Sequence, residues 1–273
     1  MRKISRRSFL AAAAAVSVSG LLAACGGAAD SEVYTVGICQ LLTHPALDAA
    51  TDGFKDGLVA MLGEDKVVKF DSQDAGGEYA NCATIVDGFV ANNVDLILAN
   101  ATAPLQAAAS ATGDIPVLGT SVTDYATALN IADWTGTVGG NISGTSDLAP
   151  LDQQAAMIKE LFPDAKTVGL LYCSAEPNSV YQIETIANVV LAAGVPVVAG
   201  EEGICSGCGV ATLSISYYDL GYATGEMAAK ILTGEADVST MPVAFAPNVT
   251  KKYNAANCDA LKITVPADYE ALG

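Results

Sequence analysis

Hydroxyl and carboxyl side chains follow several apolar segments of this chain, where they could bind a small polar molecule. Thr120, Ser121 and Asp124 come after one such segment, and Glu201 and Glu202 come after another. Hydroxyls and helix N-termini bind carboxylates, and a carboxylate forms a strong charge-assisted hydrogen bond with an ammonium group. The alternatives are turn formation for the hydroxyls and solvent exposure for the acids. We therefore predict a ligand site here, with those local roles kept open.

Other candidate side chains come after a predicted strand or at the start of a predicted helix, except Ser143 and Asp147, which lie in the predicted crossover as cleft or hinge residues. N-capping of the following helix is the alternative role for such residues. These ligand candidates are Thr43, His44, Thr102, Ser143, Asp147, Glu176, Asn178 and Ser179. Four aromatic residues could stack on an aromatic ligand, with core packing as the alternative. They are Trp134, Tyr181, Tyr217 and Tyr218.

Cys205 and Cys208 form a C-x-x-C pair. A zinc site would need a second pair of ligands, and the only histidine of the chain, His44, is far away in sequence. A redox pair normally lies at a helix N-terminus, which lowers the pKa of one thiol, whereas this pair falls between two predicted strands. We predict a structural pair, as a disulfide or as two thiols, and no metal.

Motifs of catalysis and cofactor binding are absent from the sequence. The chain has no G-x-S-x-G elbow, no P-loop, no zinc-ligand spacing and no dinucleotide fingerprint. We therefore predict a protein that is not an enzyme and needs no cofactor.

The first 25 residues have the pattern of an export signal. Four basic residues precede a short apolar segment that ends in Leu-Ala-Ala-Cys25, which is similar to the lipobox of bacterial lipoproteins. Residues 5–10, Ser-Arg-Arg-Ser-Phe-Leu, resemble the twin-arginine export motif, although general secretory signals can also carry paired arginines. We predict a signal peptide over 1–24, lipidation at Cys25, a tether over 25–33, and a location on the extracytoplasmic face of the membrane.

The charge of the chain excludes some partners. The predicted signal peptide holds four of the 13 basic residues, so the remainder carries nine basic and 30 acidic residues, a net charge of −21. Such a surface repels nucleic acid and anionic lipid head groups. We predict no nucleic-acid partner, contact with the membrane through the lipid anchor only, and a monomer.

Apolar segments of strand length alternate with segments of helical periodicity, which is typical of an α/β protein with parallel sheets covered on both faces. We predict a first lobe over 34–122 with a return segment at 248–273, a crossover or hinge over 123–147, and a second lobe over 148–247. Predicted strands are 34–42, 66–71, 94–99, 115–119, 167–173, 195–199, 210–215, 243–246 and 249–253. Predicted helices are 45–62, 78–91, 104–111, 150–161, 178–193 and 217–232.

An ordered set of segments resembles the substrate-binding lipoproteins of ABC importers, in particular the family that binds aromatic amino acids such as tryptophan. The matching segments are 44–48, 120–124, 141–147, 173–179, 194–202 and 214–221. The resemblance implies two Rossmann-like lobes with parallel sheets, a multi-segment hinge, ligand capture between the lobes and delivery to an ABC permease. A nucleoside or sugar receptor on the same fold, or a thiol-redox lipoprotein using Cys205 and Cys208, is the alternative.

The second half departs from the family pattern. Segment 179–193 reads as the start of one helix joined to the end of another, and two strands with the helix between them are missing from the expected order. We therefore predict a second lobe smaller than usual, which lacks part of the ligand wall and binds more weakly than complete relatives.

Overall fold

A computed structural model describes residues 32–64, 66–164, 169, 178–179, 181–182, 198–207, 209–246 and 248–272. The predicted signal peptide, Cys25, Glu176 and Cys208 lie outside these residues, so the predictions for them stay untested. Among the described residues, no helix is both long and apolar enough to cross a bilayer.

Strands and helices alternate through most of the chain, which confirms the predicted α/β class. The strands are β1 (Glu32–Gln40), β2 (Lys66–Asp74), β3 (Leu96–Asn100), β4 (Val117–Val122), β5 (Ile142–Ser146), β6 (Val198–Ala199), β7 (Ala211–Ile215), β8 (Ala244–Phe245), β9 (Val249–Tyr253) and β10 (Glu270–Ala271). The helices are α1 (Pro45–Leu62), α2 (Tyr79–Ala91), α3 (Thr102–Ala111), α4 (Tyr125–Leu129), α5 (Leu151–Leu161), α6 (Glu202–Gly207), α7 (Tyr217–Leu232) and α8 (Ala255–Leu261), with a 3₁₀ turn at Val238–Thr240.

The first lobe contains a six-stranded sheet in the order β2-β1-β3-β4-β5-β8, and all of its strand pairs are parallel. Strands β3, β4 and β5 are buried along their whole length, because helices cover both faces of the sheet. The carboxyl ends of these strands meet at one edge, which is where ligands bind in open α/β sheets.

The predicted crossover over 123–147 contains a strand of the first sheet, β5, which was not predicted. Its sequence, Ile-Ser-Gly-Thr-Ser, has the composition of a loop, yet it pairs with β4 in the first sheet. Gly144 has a φ of 145°, and a Cβ there would lie 2.1 Å from the carbonyl oxygen of Gly119. The small residues of this segment therefore permit a close strand contact that composition alone does not indicate.

The second lobe contains a four-stranded sheet in the order β10-β9-β7-β6. Its central pair, β7 and β9, is antiparallel, so the prediction of parallel sheets in both lobes is wrong for this one. The predicted return of 248–273 to the first lobe is also wrong, because β9 lies here. Strand β9 pairs with β7 over its whole length, and the ion pairs of Lys251 with Glu160 and of Lys252 with Glu202, both at 2.8 Å, add to that contact.

The return to the first lobe comes earlier than predicted, through α7 and β8. Helix α7 packs on α1, although the predicted boundaries placed it in the second lobe. Gly53 and Gly57 of α1 face Gly221 and Gly225 of α7, and a Cβ on any of them would lie 1.9–2.4 Å from a backbone oxygen of the other helix. The chain thus passes between the sheets three times within the described residues, after β5, after β7 and after β8, as expected for a multi-segment hinge.

Candidate functional site

A cavity of about 400 Å³ lies at the carboxyl ends of the first-lobe strands, facing residues of the second lobe. Its size is in the range of small-molecule sites. Most lining residues follow β1, β3, β4 and β5, and the others come from α1, α2, α5, α7 and the segments around 178–182 and 200–201. The lining residues are Leu41, Leu42, His44, Ala46, Leu47, Tyr79, Ala101, Thr102, Ala103, Ser121, Thr123, Asp147, Ala149, Gln154, Asn178, Gln182, Gly200, Glu201 and Tyr217.

The N-terminus of α3 faces this cavity without a side-chain cap. Ala101 is its N-cap residue and offers no oxygen to the first N–H groups of the helix. The Ala101 N–H donates to the carbonyl of Thr120 at 3.0 Å, which places the helix start beside the end of β4. The Oγ of Ser121 is buried there and has no hydrogen-bond partner. Uncapped helix N–H groups next to an unpartnered hydroxyl form an anion-binding arrangement.

Backbone strain is concentrated at the same place. Ala101 has a φ of 106° and Ser121 a φ of 54°, although neither residue is glycine. The Ala101 conformation, with ψ at 170°, is one that glycine almost alone adopts without cost. Such strain is typical of sites where backbone groups must be held in a set direction.

Replacing Ala101 with glycine should therefore stabilise the fold. We expect Ala101→Gly to raise the free energy of unfolding by about 1–3 kcal/mol, the usual cost of a strained residue. The matched control is Ala107→Gly inside the same helix, which should lower it by about 0.5–1 kcal/mol. Urea unfolding of both variants measures the difference, and a loss of stability in both would contradict the assignment of strain.

The carboxylate of Asp147 lies in the cavity with one oxygen bonded and one unpartnered. Tyr217 donates its hydroxyl to Oδ2 at 2.9 Å, while Oδ1 is buried without a partner. Burial raises the pKa of Asp147, and hydrogen bonds from Tyr217 and Thr123 oppose the rise. Burial and the nearby Asp147 charge also raise the pKa of Tyr217 well above its ordinary value. A buried carboxylate with a free oxygen favours a cationic partner.

One part of the cavity is apolar. Leu41, Leu42 and Leu47 form one side near the start of α1, and the aromatic rings of Tyr79 and Tyr217 also line it. The Gln182 amide donates to the Thr123 hydroxyl at 3.2 Å, a contact between the two lobes. Within the described lining residues there is no lysine or arginine. The cavity can therefore enclose an apolar group while its charged side chains favour a cation.

Six of the predicted ligand residues line the cavity: His44, Thr102, Ser121, Asp147, Asn178 and Glu201. His44 also has its alternative role, because its Nδ1 accepts from the Ala46 N–H at 3.3 Å and caps α1. Glu201 accepts from the Gly203 N–H at 2.7 Å.

Apart from Glu176, which lies outside the described residues, the other predicted ligand residues are absent from the cavity lining. Thr43 donates to Asp74, Asp124 caps α4, and Glu202 pairs with Lys252. Thr120 and Ser143 are buried in strands, where they bond Thr145 and the Met241 carbonyl. Ser179 is half-buried and does not line the cavity. Asp124 thus has a capping role, Glu202 is held in an ion pair, and Thr120 and Ser143 form hydrogen bonds within the first lobe.

Sequence reasoning missed several lining residues, and three of its four aromatic candidates do not line the cavity. No sequence pattern marks Tyr79 as a ligand residue, because it is the first residue of α2 and belongs to no motif. Of the four stacking candidates, only Tyr217 lines the cavity. Tyr218 points to α1, where its hydroxyl donates to Asp56 at 2.8 Å. Trp134 is 37% exposed, and Tyr181 is half-buried, both away from the lining.

Cys205 lies inside α6 and is fully buried, so the expectation of an inter-strand loop is wrong for this residue. Its pairing with Cys208 stays a prediction. In the part of the chain that the structure describes, no group of three or more His, Cys, Asp or Glu side chains could hold a metal ion.

Comparison with known proteins places the chain among transport proteins. The family model for ABC transporter substrate binding proteins matches residues 35–198 and 183–270. A tyrosine-binding protein of Clostridioides difficile (strain R20291) is 31% identical over 265 residues, covering 76% of this chain and 75% of that protein.

Solved structures agree with that assignment. A Streptococcus pneumoniae ABC domain in complex with L-Trp has a TM-score of 0.80 at 28% identity, covering 86% of this chain and 97% of that one. A ligand-free, open substrate-binding protein with adhesive properties from Clostridium difficile has a TM-score of 0.72 at 30% identity, and the match covers 88% of this chain and 99% of that one.

Proposed function

This chain belongs to the ABC transporter substrate-binding protein family, and from that premise we propose that it captures an aromatic amino acid between its two lobes. Members of this family bind substrates outside the cytoplasm and are not enzymes. One observation carries the proposal: two unpartnered polar atoms, Ser121 Oγ and Asp147 Oδ1, belong to residues that line the same cavity. An amino acid supplies a partner of the required charge to each of them.

The ligand carboxylate binds at the start of α3. The N–H groups of its first turn and the Ser121 hydroxyl donate to the carboxylate oxygens. The positive end of the helix dipole adds attraction for the negative charge. This arrangement suits a carboxylate without any lysine or arginine, in agreement with the lining of the described cavity.

The ligand ammonium group binds Asp147. Its free Oδ1 accepts one N–H, while Tyr217 keeps Oδ2 bonded and the carboxylate oriented. The cavity lining around 200–201 adds a second carboxylate, Glu201. A charge-assisted bond of this kind is about twice as strong as a neutral one.

The ligand side chain occupies the apolar part of the cavity. Leucine side chains and the rings of Tyr79 and Tyr217 offer a surface on which an aromatic ring can pack. The names of two relatives, a tyrosine-binding protein and a domain in complex with L-Trp, support this class of ligand.

Ligand affinity should depend on pH through Asp147. Only the ionised carboxylate attracts an ammonium, so affinity falls as pH drops through the pKa of Asp147. Because burial raises that pKa, the decline should begin above the ordinary carboxyl range of about 4 and approach tenfold per pH unit. Calorimetric titration with L-tryptophan between pH 4 and 8 measures it. A dissociation constant that is flat over this range would contradict the role of Asp147.

A thermal-shift screen tests the ligand class. Tryptophan, tyrosine and phenylalanine should raise the melting temperature, by an amount that grows with the logarithm of the ligand concentration over the dissociation constant. Nucleosides and neutral sugars, the alternative ligands on this fold, should not. A shift by a sugar or nucleoside with none by the three amino acids would reject the proposal.

We propose further that the second lobe is shortened within 179–193. Support comes from the family model, which matches two separate segments that overlap at 183–198 instead of one continuous segment. A few lost contacts at about 1 kcal/mol each weaken binding by one to two orders of magnitude. Inserting the corresponding segment of the tyrosine-binding relative should restore tighter binding, and an unchanged affinity would contradict this part of the proposal.

We also propose that the protein is a lipid-anchored monomer that delivers its ligand to an ABC permease. The Leu-Ala-Ala-Cys25 motif at the end of the export signal supports the anchor. Cys25→Ala should abolish labelling with a lipid precursor and release the protein from membranes. Membrane association that persists in this variant would contradict lipidation.

A further inference from the structure

Two cysteines outside the ligand site lie side by side in the core of the first lobe. Cys39 of β1 and Cys82 of α2 are both fully buried and belong to the same apolar cluster. The two thiols lie near enough for each to perturb the pKa of the other. The Cys82 thiol also lies 3.8 Å from the carbonyl oxygen of Glu78.

The register of strand and helix explains why the two thiols meet. Gly37 and Cys39 point to the same face of β1, since alternate residues share a face. Cys82 and Phe89, seven residues apart, share the buried face of α2. A Cβ at Gly37 would lie 2.6 Å from the Phe89 ring, so the helix runs very close to the strand. Short side chains such as cysteine can therefore bridge them.

The backbone holds the two elements together next to the cysteines. The Ala75 N–H donates to the Gln40 carbonyl at 2.9 Å, and the Gly77 N–H donates to the Leu41 carbonyl at 2.8 Å. These bonds fix the segment leading into α2 against the end of β1. The approach of the thiols thus results from a defined connection rather than from two freely moving side chains.

We propose that Cys39 and Cys82 form a disulfide outside the cytoplasm, joining β1 to α2. Substrate-binding proteins of this family work in an extracytoplasmic compartment, where disulfides form and persist. The oxidant is a disulfide, either low-molecular-weight or on a thiol oxidoreductase. One cysteine attacks it and releases the first thiol, and the second cysteine closes the Cys39–Cys82 bond and releases the other. The two thiol protons pass to the two leaving sulfurs.

The bond forms while the chain is folding. In the folded protein neither thiol is exposed, and burial raises the pKa of both, so little thiolate is available for exchange. Once formed, the disulfide is protected from reductants for the same reason. It closes a loop of more than forty residues, which restricts the unfolded chain and stabilises the fold.

Peptide mapping tests the proposal directly. The full chain carrying Cys25→Ala, which removes the second cysteine of the tryptic peptide that contains Cys39, is refolded in an oxidised/reduced glutathione buffer, denatured, alkylated without reductant and digested with trypsin. Cleavage at Lys55, Lys66 and Lys69 separates Cys39 from Cys82. We expect a linked pair of peptides, two hydrogens lighter than their sum, that separates on reduction. Alkylation of both cysteines, or a bond from either one to a different cysteine, would overturn the proposal.

Thermal unfolding gives a second test that distinguishes a disulfide from two core thiols. Under oxidising conditions, Cys39→Ala, Cys82→Ala and the double variant should lose a similar amount, about 5–15 °C in Tm. With reductant present throughout folding, the wild-type protein should lose most of this advantage. The control is Cys258→Ala, a buried cysteine in the second lobe, whose effect should be the same in both buffers. A wild-type Tm that does not depend on redox conditions would overturn the proposal.

Discussion

The isosteric substitution Asp147→Asn should abolish binding of aromatic amino acids at neutral pH. It removes the negative charge that attracts the ligand ammonium while keeping the size of the side chain and an oxygen for the Tyr217 hydroxyl. Loss of one partner from a buried charge pair costs about 2–5 kcal/mol, which corresponds to a thirtyfold to several-thousandfold weaker dissociation constant. Calorimetry with L-tryptophan on both proteins measures the change.

Asp147→Asn should not lower the stability of the unliganded protein, although it abolishes binding. Because the folded-state pKa of Asp147 is raised, its ionisation opposes folding, and its contribution to stability is lost as pH rises through that pKa. The neutral asparagine should therefore leave the unliganded protein at least as stable at pH 7. This combination of lost binding and retained stability is expected of a binding residue and not of a structural one.

Asp124→Asn is the matched control. Asp124 carries the same charge and comes just after β4, as Asp147 comes just after β5. It caps α4 through the Thr127 N–H at 2.7 Å and does not line the cavity. Asparagine is an equally good N-cap. We expect unchanged affinity and stability, and an equal loss of binding in both variants would mean that overall charge rather than Asp147 governs affinity.

The substitution Gly221→Ala should destabilise the protein strongly. A Cβ at this position would lie 1.9 Å from the Ala50 carbonyl oxygen on α1, so the two helices must move apart. Overpacking of this kind costs about 1–3 kcal/mol or more, although alanine is otherwise the better helix former. At ~2–4 °C per kcal/mol for a chain of this size, Tm should fall by about 5 °C or more.

Gly88→Ala makes the same change in the middle of α2, where a Cβ would meet no atom within 4 Å. Helix propensity then acts alone and should stabilise the protein by about 0.5–1 kcal/mol. Opposite signs for the two glycines, measured by urea unfolding, are expected. A stabilising effect at Gly221 as well would contradict the close contact between α1 and α7.

Local signals predicted the long helices and most strands of this fold, but not the short helices α4, α6 and α8 or the way the strands pair. The bounds of α1 agree with the prediction because His44 and Pro45 mark its first turn and Gly63 follows its last residue. Strand β5 was not predicted, since its small polar residues become a strand only by pairing with β4. The lobe to which β9 belongs is set by its pairing with β7, a strand that lies earlier in the chain beyond helix α7. Such long-range partners leave no local pattern.

The same division applies to the site. Ser121 and Thr102 could be predicted because they lie at the carboxyl ends of predicted strands that meet at one edge, and Asp147 because it lies in the predicted crossover. The hydrogen bonds of these side chains could not be predicted, because the hydroxyl that bonds Asp147 belongs to Tyr217, 70 residues later in the chain. The strained backbone of Ala101 is likewise invisible in a sequence where alanine is common.

Calorimetry with tryptophan and two of its analogues tests the central claim, capture of a zwitterionic aromatic amino acid, most directly. Tryptamine lacks the carboxylate that α3 and Ser121 would hold, and indole-3-propionate lacks the ammonium that Asp147 would hold. We expect binding of L-tryptophan and a loss of at least about thirtyfold for each analogue, since each leaves one charged partner unmatched. Equal binding of either analogue, or binding of a neutral sugar without binding of tryptophan, tyrosine or phenylalanine, would contradict the account.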